Sequence, residues 1–250
     1  MKLISLNIFG GRVGNSLVDF VKSKADEVDI FCFQEVYNGD KVLKAEDSTV
    51  FNIHSILSSV LPNHTDFYAC AYEVIKNEKC IPYGLAMFVR KGIEVKAEGS
   101  YEIFKITDDL GLPEDIKIWN RLLQYITVPY KNSEITIFNL HGLYTGGGKG
   151  DGIARLEQSR KVSNFMRNHR GSKILCGDFN LNPETESIKI FEEGMVNLIK
   201  EKGIVSTRSH IYSGDNKYAD YIFTSPDVAV LHFEVLQDTV SDHLPLYIEF

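Results

Sequence analysis

The chain has 250 residues, of which 44% are hydrophobic and 11% are aromatic, so it can bury a large core and is not an intrinsically disordered segment. Its net charge of −7 argues against the basic surface by which enzymes usually grip long nucleic acids, although a local basic groove is compatible with this average. No run approaches the roughly 18 apolar residues of a membrane-spanning helix, and the N-terminus lacks a signal-peptide pattern, so we expect a cytoplasmic protein.

The predicted elements of the first half are short β-rich runs separated by a few amphipathic helices. A first helix is capped by Asn15-Ser16 and runs to about Val28, and a second covers Val50 to Leu61 before Pro62. Strands are predicted at Leu3–Ile8, Asp29–Phe33, Phe67–Val74, Leu85–Val89, Val95–Phe104 and Leu122–Val128.

The second half contains one long helix, from Ile153 to Asn168, with apolar residues along one face. Its strands are predicted at Ile135–Leu140, Lys173–Cys176, Tyr221–Thr224, Val228–Val235 and Leu244–Phe250. Because neither repeats nor a linker-like change of composition interrupts the chain, we expect a single domain over residues 1–250.

The glycine-rich segment 146–152 resembles a nucleotide-binding loop only superficially. A Walker A lysine needs Ser or Thr next to it, whereas Lys149 is followed by Gly150, and the required upstream glycine is replaced by Leu143. We interpret the segment as a mobile flap that contacts substrate, with a plain connector as the alternative.

The four cysteines form no CxxC pair, and two of them, Cys32 and Cys176, lie in apolar strand-like runs. This pattern indicates reduced, buried thiols. Nothing in the spacing supports a disulfide between Cys70 and Cys80.

Several apolar strands have polar residues at one end. Taken singly, each has an ordinary explanation: Asn7 can satisfy a turn, Glu35 can be a solvated strand end, and His141 can be a core histidine. Together they can converge on one cleft at the rim of a sheet. Carboxylate and amide oxygens suit Mg²⁺ or Mn²⁺, and no cluster of Cys or closely spaced His indicates zinc. The polar residues are Asn7, Gln34-Glu35, Asn139, His141, Asp178, Asn180, Asp220 and Asp242-His243.

The same residues carry a family resemblance. In this order the chain contains SLNIFGGR (Ser5–Arg12), FCFQEVY (Phe31–Tyr37), NLHG (Asn139–Gly142), ARLEQ (Ala154–Gln158), CGDFNLNP (Cys176–Pro183), YADYIF (Tyr218–Phe223) and SDHLPL (Ser241–Leu246). Their combination resembles the endonuclease/exonuclease/phosphatase (DNase I-like) superfamily. The resemblance implies an α/β fold, a four-layer α/β/β/α sandwich of two mixed sheets flanked by helices. It also implies a metal-dependent hydrolase of phosphoester bonds.

The resemblance assigns metal binding to three positions. Glu35 matches the principal ligand, with Asn7 and Asp242 near the metal, which we expect to be Mg²⁺ or Mn²⁺. Whether one or two metal ions are bound stays open.

The resemblance assigns catalysis to five positions. His141 matches a donor to the phosphate oxygens, and Asp178 and Asn180 match the residues that orient or deprotonate the attacking water. His243 matches the histidine that faces the phosphate, and Asp220 matches the carboxylate that holds its tautomer. Because a water molecule is a poor nucleophile, a carboxylate or a His–Asp pair must take its proton. Asp178 and His243 are both candidates for this base.

Substrate contacts are predicted at Arg121 and Tyr144, with Trp119 and Tyr37 as further aromatic candidates. Arg121 resembles an arginine that precedes a central strand in many relatives and would bind phosphate; a surface salt bridge is the alternative. The aromatic rings could stack on a base, or simply pack at the rim.

The favoured substrate is a nucleic-acid or nucleotide phosphodiester, which is hydrolysed when water attacks the phosphorus in line with the leaving group. We expect the enzyme to be a monomer. AP endonucleases typically have Thr-Lys after the QE pair, whereas this chain has Val36-Tyr37, so that branch of the family is a poor match. A lipid or sugar phosphoester, as in sphingomyelinase-like or inositol-phosphatase-like enzymes, is the enzymatic alternative. A non-catalytic binding module on the same fold is the second alternative.

Overall fold

The computed structural model describes residues 1–40, 47–76, 78–105, 120–146 and 148–250. Within these ranges lie twelve strands: β1 (Lys2–Asn7), β2 (Ile30–Tyr37), β3 (His64–Lys76), β4 (Lys79–Arg90), β5 (Ala97–Phe104), β6 (Arg121–Tyr130), β7 (Ser133–His141), β8 (Ser172–Asp178), β9 (Val196–Asn197), β10 (Asp220–Thr224), β11 (His232–Val235) and β12 (Leu246–Glu249). The α-helices are α1 (Asn15–Lys24), α2 (Ile53–Val60), α3 (Ile153–Arg167), α4 (Glu186–Glu192) and α5 (Leu198–Glu201), with a 3-10 turn at Phe9–Gly11.

The strands form two mixed sheets of six strands each, in the orders β11-β12-β1-β2-β4-β3 and β5-β6-β7-β8-β10-β9. Each sheet contains one central parallel pair, β1 with β2 and β7 with β8. Because parallel strands end at the same edge of a sheet, each pair directs its carboxyl ends to one rim.

Alternate residues of the central strands pack on opposite faces of the sheet. Leu3 and Cys32 belong to the core between the two sheets, whereas Ile4 and Phe33 belong to a second core with α1 and α2. Residues of α3 and α4 pack on the second sheet, and Val162 and Ile188 belong to the same hydrophobic cluster as Leu3 and Cys32. Helices therefore cover both outer faces, and the predicted four-layer α/β/β/α sandwich is confirmed.

The structure departs from the predicted elements in several places; the predicted strand Val228–Val235, for example, is limited to β11 (His232–Val235). Helix α1 ends at Lys24 rather than near Val28, because the next residues form turns, the first from the Ala25 amide to the Lys22 carbonyl, before the chain enters β2. Strands β3 and β4 are longer than predicted and form a hairpin that projects past the rim. The short helices α4 and α5, which begin at Thr185 and Asn197 side-chain caps, were not predicted.

All four cysteines are free thiols, as predicted; Cys32 and Cys176 are buried, whereas Cys70 and Cys80 are exposed, so the prediction of burial was wrong for these two. Across the described residues, no helix is long and apolar enough to cross a membrane.

Candidate active site

Strand register brings three predicted residues into one row across the second sheet. His141 at the end of β7 is paired with Asp178 at the end of β8, and Asp178 is paired with Asp220 at the start of β10. The parallel β7–β8 pair and the antiparallel β8–β10 pair thus place all three at one rim. The loop Ser241-Asp242-His243, which precedes β12, reaches this row from the first sheet.

The first sheet contributes Asn7 and Glu35 at the ends of β1 and β2. Asn7 is paired with Gln34, and a β-bulge follows between Gln34 and Val36. Glu35 occupies the bulge with a φ of 61°, a left-handed conformation that non-glycine residues rarely adopt. Because a bulge breaks the alternation of the strand, it turns this carboxylate towards the cleft.

Asp178 lies at the centre of the polar cluster. Its Oδ2 accepts a hydrogen bond from Asn7 Nδ2 at 3.0 Å and lies 3.9 Å from His141 Nε2 and 3.7 Å from His243 Nε2. Its Oδ1 accepts the backbone N–H of Asn180 at 2.9 Å, and Asn180 itself has a φ of 55°. Burial alone would raise the pKa of Asp178, but the nearby His243 and Lys149 outweigh it and hold that pKa well below its usual range.

His243 and Asp220 form a buried hydrogen-bonded pair. Nδ1 of His243 lies 2.8 Å from both carboxylate oxygens of Asp220, and Thr207 Oγ1 donates to Asp220 Oδ2 at 3.0 Å. Burial would lower the pKa of His243, but the Asp220 carboxylate raises it above its ordinary value. With Nδ1 directed at Asp220, Nε2 is the nitrogen left facing Asp178 and the cleft.

The three predicted metal-binding residues lie together. Asn7 Nδ2 donates to Glu35 Oε1 at 3.1 Å, while Asn7 Oδ1 accepts the amide of Phe9 at 3.0 Å. Burial raises the pKa of Glu35, and the charges of Asp242 and Asp178 raise it further. A divalent cation would relieve this mutual repulsion of carboxylates, so the donor set fits a hard metal ion.

Two other observations bear on the metal. Asp242 Oδ2 forms an ion pair with Arg208 Nη1 at 2.8 Å, so one of its oxygens already has a cationic partner. Ligand atoms of Asp178, Asp220 and His243 lie within 4.8 Å of one another, a second possible group of ligands. Since Nδ1 of His243 is bonded to Asp220, the hydrogen-bonded pair accounts for that proximity without a metal ion.

These groups open onto a cleft of ≈ 670 Å³. Both predicted substrate contacts line it. Tyr144 is 50% exposed, whereas Arg121 is only 5% exposed and its Nε has no hydrogen-bond partner within the described residues. A buried arginine is not the surface salt bridge that the sequence left open as an alternative. Tyr37 also lines the cleft, and Trp119 lies outside the described residues.

His141 is buried beside Arg121 at the floor of the cleft. Burial and the positive charge of Arg121 hold the pKa of His141 well below its usual range. The ring is therefore neutral at pH 7 and can donate one hydrogen bond to an anionic ligand.

Asn139, expected near the cleft, instead joins the two sheets behind it. Its Oδ1 accepts Gln34 Nε2 at 2.7 Å, and its Nδ2 donates to the Phe33 carbonyl at 3.1 Å and to Gln124 Oε1 at 3.3 Å. This network ties the strand that carries His141 to the bulge that carries Glu35.

Sequence reasoning missed two cationic residues of the cleft. Lys149 was considered only as part of the glycine-rich loop, and Arg208 in STRSH matched no motif. Arg208 stacks on Tyr212, with its guanidinium carbon 4.2 Å from the ring centre. A lone arginine in a loop gives no sequence signal, because only the bridge between Arg208 and His243 brings it to the cleft.

The glycine-rich loop is anchored on both sides rather than free. Arg155 of α3 donates to the carbonyls of Gly148 at 2.7 Å and Gly150 at 2.5 Å. Asp151 accepts the amides of Glu186 at 2.8 Å and Ser187 at 2.9 Å at the start of α4. These contacts argue against the mobile flap expected from the sequence; Gly147 lies outside the described residues.

Comparison with known proteins places this geometry in context. The sequence matches the model of the Endonuclease/Exonuclease/phosphatase family over residues 4–243. No curated protein matches the chain. Several solved structures share the fold, and three are described here.

An endonuclease/exonuclease/phosphatase family protein from Bacteroides thetaiotaomicron is 21% identical, with a TM-score of 0.73 over 99% of this chain and 93% of its own. The mannosyl-6-phosphatase of the same organism is 19% identical, with a TM-score of 0.73 over 100% of this chain and 98% of its own. TDP2 of D. rerio, complexed with a single-strand DNA product, is 15% identical, with a TM-score of 0.69 over 99% of this chain and 97% of its own. At these identities the likeness shows the shared fold.

Proposed function

The chain belongs to the Endonuclease/Exonuclease/phosphatase family, and on this basis we propose that it is a metal-dependent phosphoesterase that cleaves a P–O bond by in-line attack of water. The observation that carries the proposal is the position of Asp178. Its ionised carboxylate lies within 4 Å of the ring nitrogens of two histidines at the floor of an open cleft. This combination supplies an acceptor for the water and donors for the phosphate in one place.

Glu35, Asp242 and Asn7 would hold the metal ion, which we propose to be Mg²⁺ or Mn²⁺ because all three offer hard oxygen donors. When bound, such an ion polarises a phosphoryl oxygen and neutralises charge that develops in the transition state. The Asn7 amide contributes a second function, since its donated hydrogen bonds keep Glu35 and Asp178 in register across the two sheets.

Asp178 and Asn180 would orient the attacking water. Because its pKa is held low, Asp178 is ionised at neutral pH and always available as a hydrogen-bond acceptor. We assign the base to Asp178, which receives a proton from the water as the oxygen attacks phosphorus. Asn180 presents its amide beside the same cleft and would fix the second hydrogen of that water.

His243 and His141 would stabilise the phosphate oxygens in two different protonation states. His243, with its pKa raised by Asp220, is a cationic or readily protonated donor through Nε2. His141, with its pKa lowered by burial, is a neutral donor, and Arg121 beside it adds a permanent positive charge. Both kinds of donor act on the charge that spreads over the equatorial oxygens of the transition state.

Two substrate classes follow from different observations. The sequence favoured a phosphodiester of nucleic acid, and the open cleft lined by Tyr37 and Tyr144 could stack bases. A small molecule with a sugar phosphate fits better with this cleft, because its cations are the buried Arg121 and Lys149 and the half-buried Arg208 in a chain of net charge −7. The fold shared with a mannosyl-6-phosphatase is in line with that second class. A lipid phosphoester and a non-catalytic binding module are outcomes of the test below.

The test is hydrolysis of bis-p-nitrophenyl phosphate and p-nitrophenyl phosphate with Mg²⁺, with Mn²⁺ and with EDTA. Wild type is compared with Glu35→Gln and with Glu98→Gln, an exposed glutamate on β5 that serves as the matched control. We expect metal-dependent turnover that Glu35→Gln lowers by at least about 100-fold and that Glu98→Gln leaves unchanged.

Calorimetric titration with Mn²⁺ accompanies the rates. Equal affinity of wild type and Glu35→Gln for Mn²⁺, together with the absence of turnover on both esters, would refute the enzyme proposal in favour of a binding module. A panel of single-stranded DNA, abasic duplex, RNA, sphingomyelin, inositol phosphates and sugar phosphates then ranks the substrate classes. The single domain, the monomeric state and the cytoplasmic location stay predictions.

A further inference from the structure

Lys149 is a buried cation whose hydrogen-bonding capacity is mostly unused. It is 3% exposed and lines the cleft beside Asp178 and Asn180. Its ammonium donates one hydrogen bond, to the Tyr218 carbonyl at 3.0 Å. Among the described residues the ammonium makes no ion pair within 4.0 Å and no second hydrogen bond, so two of its three N–H groups have no acceptor there.

The loop that carries Lys149 is built to hold it there. Its own carbonyl accepts the Asn182 amide at 2.8 Å, so the backbone is fixed to the segment that follows Asp178. On either side, Arg155 binds the carbonyls of Gly148 and Gly150 through both terminal nitrogens. A Cβ at Gly148 or Gly150 would meet no other atom within 4 Å, and Gly148 lines the cleft.

Burial of an ammonium group without an anionic partner is unfavourable. Burial lowers the pKa of Lys149 to about 8, while Asp178, Asp220 and Asp242 oppose that shift through space. The group is therefore still mainly protonated at neutral pH. A charged, nearly unpartnered donor pointing into a cleft indicates that an anion completes its coordination.

The charge of that anion follows from the other donors in the cleft. A phosphodiester has two non-bridging oxygens and one negative charge, and His141, His243 and Arg121 together with a metal ion are sufficient for these. A phosphomonoester has a third terminal oxygen and, above a second pKa of roughly 6, a second negative charge. Arg208, the other cation of the cleft, is already paired with Asp242, so Lys149 is the donor that we assign to this third oxygen.

We propose that Lys149 binds the additional terminal oxygen of a phosphate monoester and makes the enzyme prefer terminal phosphates over internal phosphodiesters. This inference rests on the proposed function and narrows its substrate class. It assigns Lys149 to substrate specificity rather than to activation of water, which is the role proposed for Asp178.

The experiment compares p-nitrophenyl phosphate with bis-p-nitrophenyl phosphate in wild type, Lys149→Gln and Lys149→Met. The control is Lys217→Gln, which removes the same charge from an exposed lysine near the cleft. We expect both Lys149 variants to lower kcat/KM for the monoester by about 10- to 100-fold, the range of a lost charge-assisted hydrogen bond. The diester rate should fall by a clearly smaller factor, because Lys149 affects the diester only through its charge near Asp178, and Lys217→Gln should change neither rate.

A binding measurement separates specificity from folding and from the proposed function. Calorimetry with inorganic phosphate at pH 7.5 to 8 should show weaker binding in both variants by a similar factor, with binding of dimethyl phosphate unchanged. Equal losses on monoester and diester, or unchanged phosphate affinity, would overturn the role of Lys149 even if wild type is an active phosphoesterase. Conversely, if wild type hydrolyses neither ester but binds phosphate through Lys149, the proposed function is refuted whereas the phosphate-binding role of Lys149 is supported.

Discussion

Replacement of Asp220 by Asn is the sharpest perturbation of the His243 pair. The substitution keeps the size of the side chain but puts an amide nitrogen at one of the two oxygen positions that lie 2.8 Å from His243 Nδ1. Thr207 Oγ1 accepts the amides of Ala219 and Asp220 and so directs its proton at Oδ2, where the Asn oxygen is best placed. The amide N–H₂ then faces His243 Nδ1 and favours the tautomer with its proton on Nε2.

Two effects set the magnitude. The charge-assisted hydrogen bond contributes about 1.5–3 kcal/mol, which corresponds to a rate loss of about 10- to 150-fold if it acts in the transition state. The second effect is the charge of the ring, because the neutral tautomer still donates from Nε2 but the imidazolium that Asp220 stabilises is lost. We therefore expect kcat to fall by about 10- to 150-fold with little change in KM.

The pH dependence provides a second readout with a definite sign. Asp220 raises the pKa of His243, so the imidazolium contributes stability that is present below an unfolded pKa of about 6.5 and is lost as the pH rises through the folded pKa. In Asp220→Asn the effect of the carboxylate is lost, so the pKa of His243 falls, with burial and Arg208 lowering it and Asp178 still opposing them. The basic limb of the kcat profile should move to lower pH, and the extra stability below pH 6.5 should disappear.

The assay is hydrolysis of the better nitrophenyl ester between pH 5 and 9, together with urea unfolding at pH 5.5 and 8. Asp238→Asn, an exposed aspartate in the loop before Ser241, is the matched control. A variant whose kcat stays within about 3-fold of wild type, with an unmoved pH profile, would refute the role given to the Asp220–His243 pair.

Three further predictions concern the metal ion, the polar network and the backbone. Mn²⁺ at about 100 times its Kd should stabilise wild type by about 2.7 kcal/mol and so raise its Tm. The rise in Tm should be clearly smaller in Glu35→Gln, and an equal rise in both proteins would exclude Glu35 as a ligand. Asn139→Leu should lower the free energy of unfolding by about 1–3 kcal/mol, because buried Gln34 Nε2 loses its shortest hydrogen bond and Gln124 Oε1 loses its donor. A fall below about 0.5 kcal/mol in urea unfolding would contradict the importance of that network. Gly177→Ala should prevent folding or lower Tm strongly, because φ is +133° and a Cβ would lie 2.0 Å from the Leu140 carbonyl oxygen. The control is Gly150→Ala, whose Cβ meets open space, so calorimetry should show a near-native Tm for this variant.

Much of the fold follows from local patterns in the sequence. Apolar runs that end in Asn7, Glu35, His141 and Asp178 predicted strands whose polar ends meet at one rim, and the structure places all four there. The pattern works because strand alternation and burial of both faces are properties of short segments. The limits of α1 and the extent of the β3–β4 hairpin depend on turns and cross-strand pairing, which short segments do not specify.

The amino-acid sequence by itself determined the chemical inventory: hard oxygen donors, two histidines and an arginine suited to phosphate. Tertiary structure alone decided how these groups are partnered. Register sets His141, Asp178 and Asp220 in one row, and the bridge between Arg208 and His243 delivers an arginine to Asp242. Likewise, Lys149 is buried only because contacts of Arg155 hold the glycine-rich loop 146–152 in place; from the sequence, a lysine is expected at the surface. Partnership and burial depend on residues far apart in the chain, and these long-range contacts set the charge, the pKa and the reach of each group.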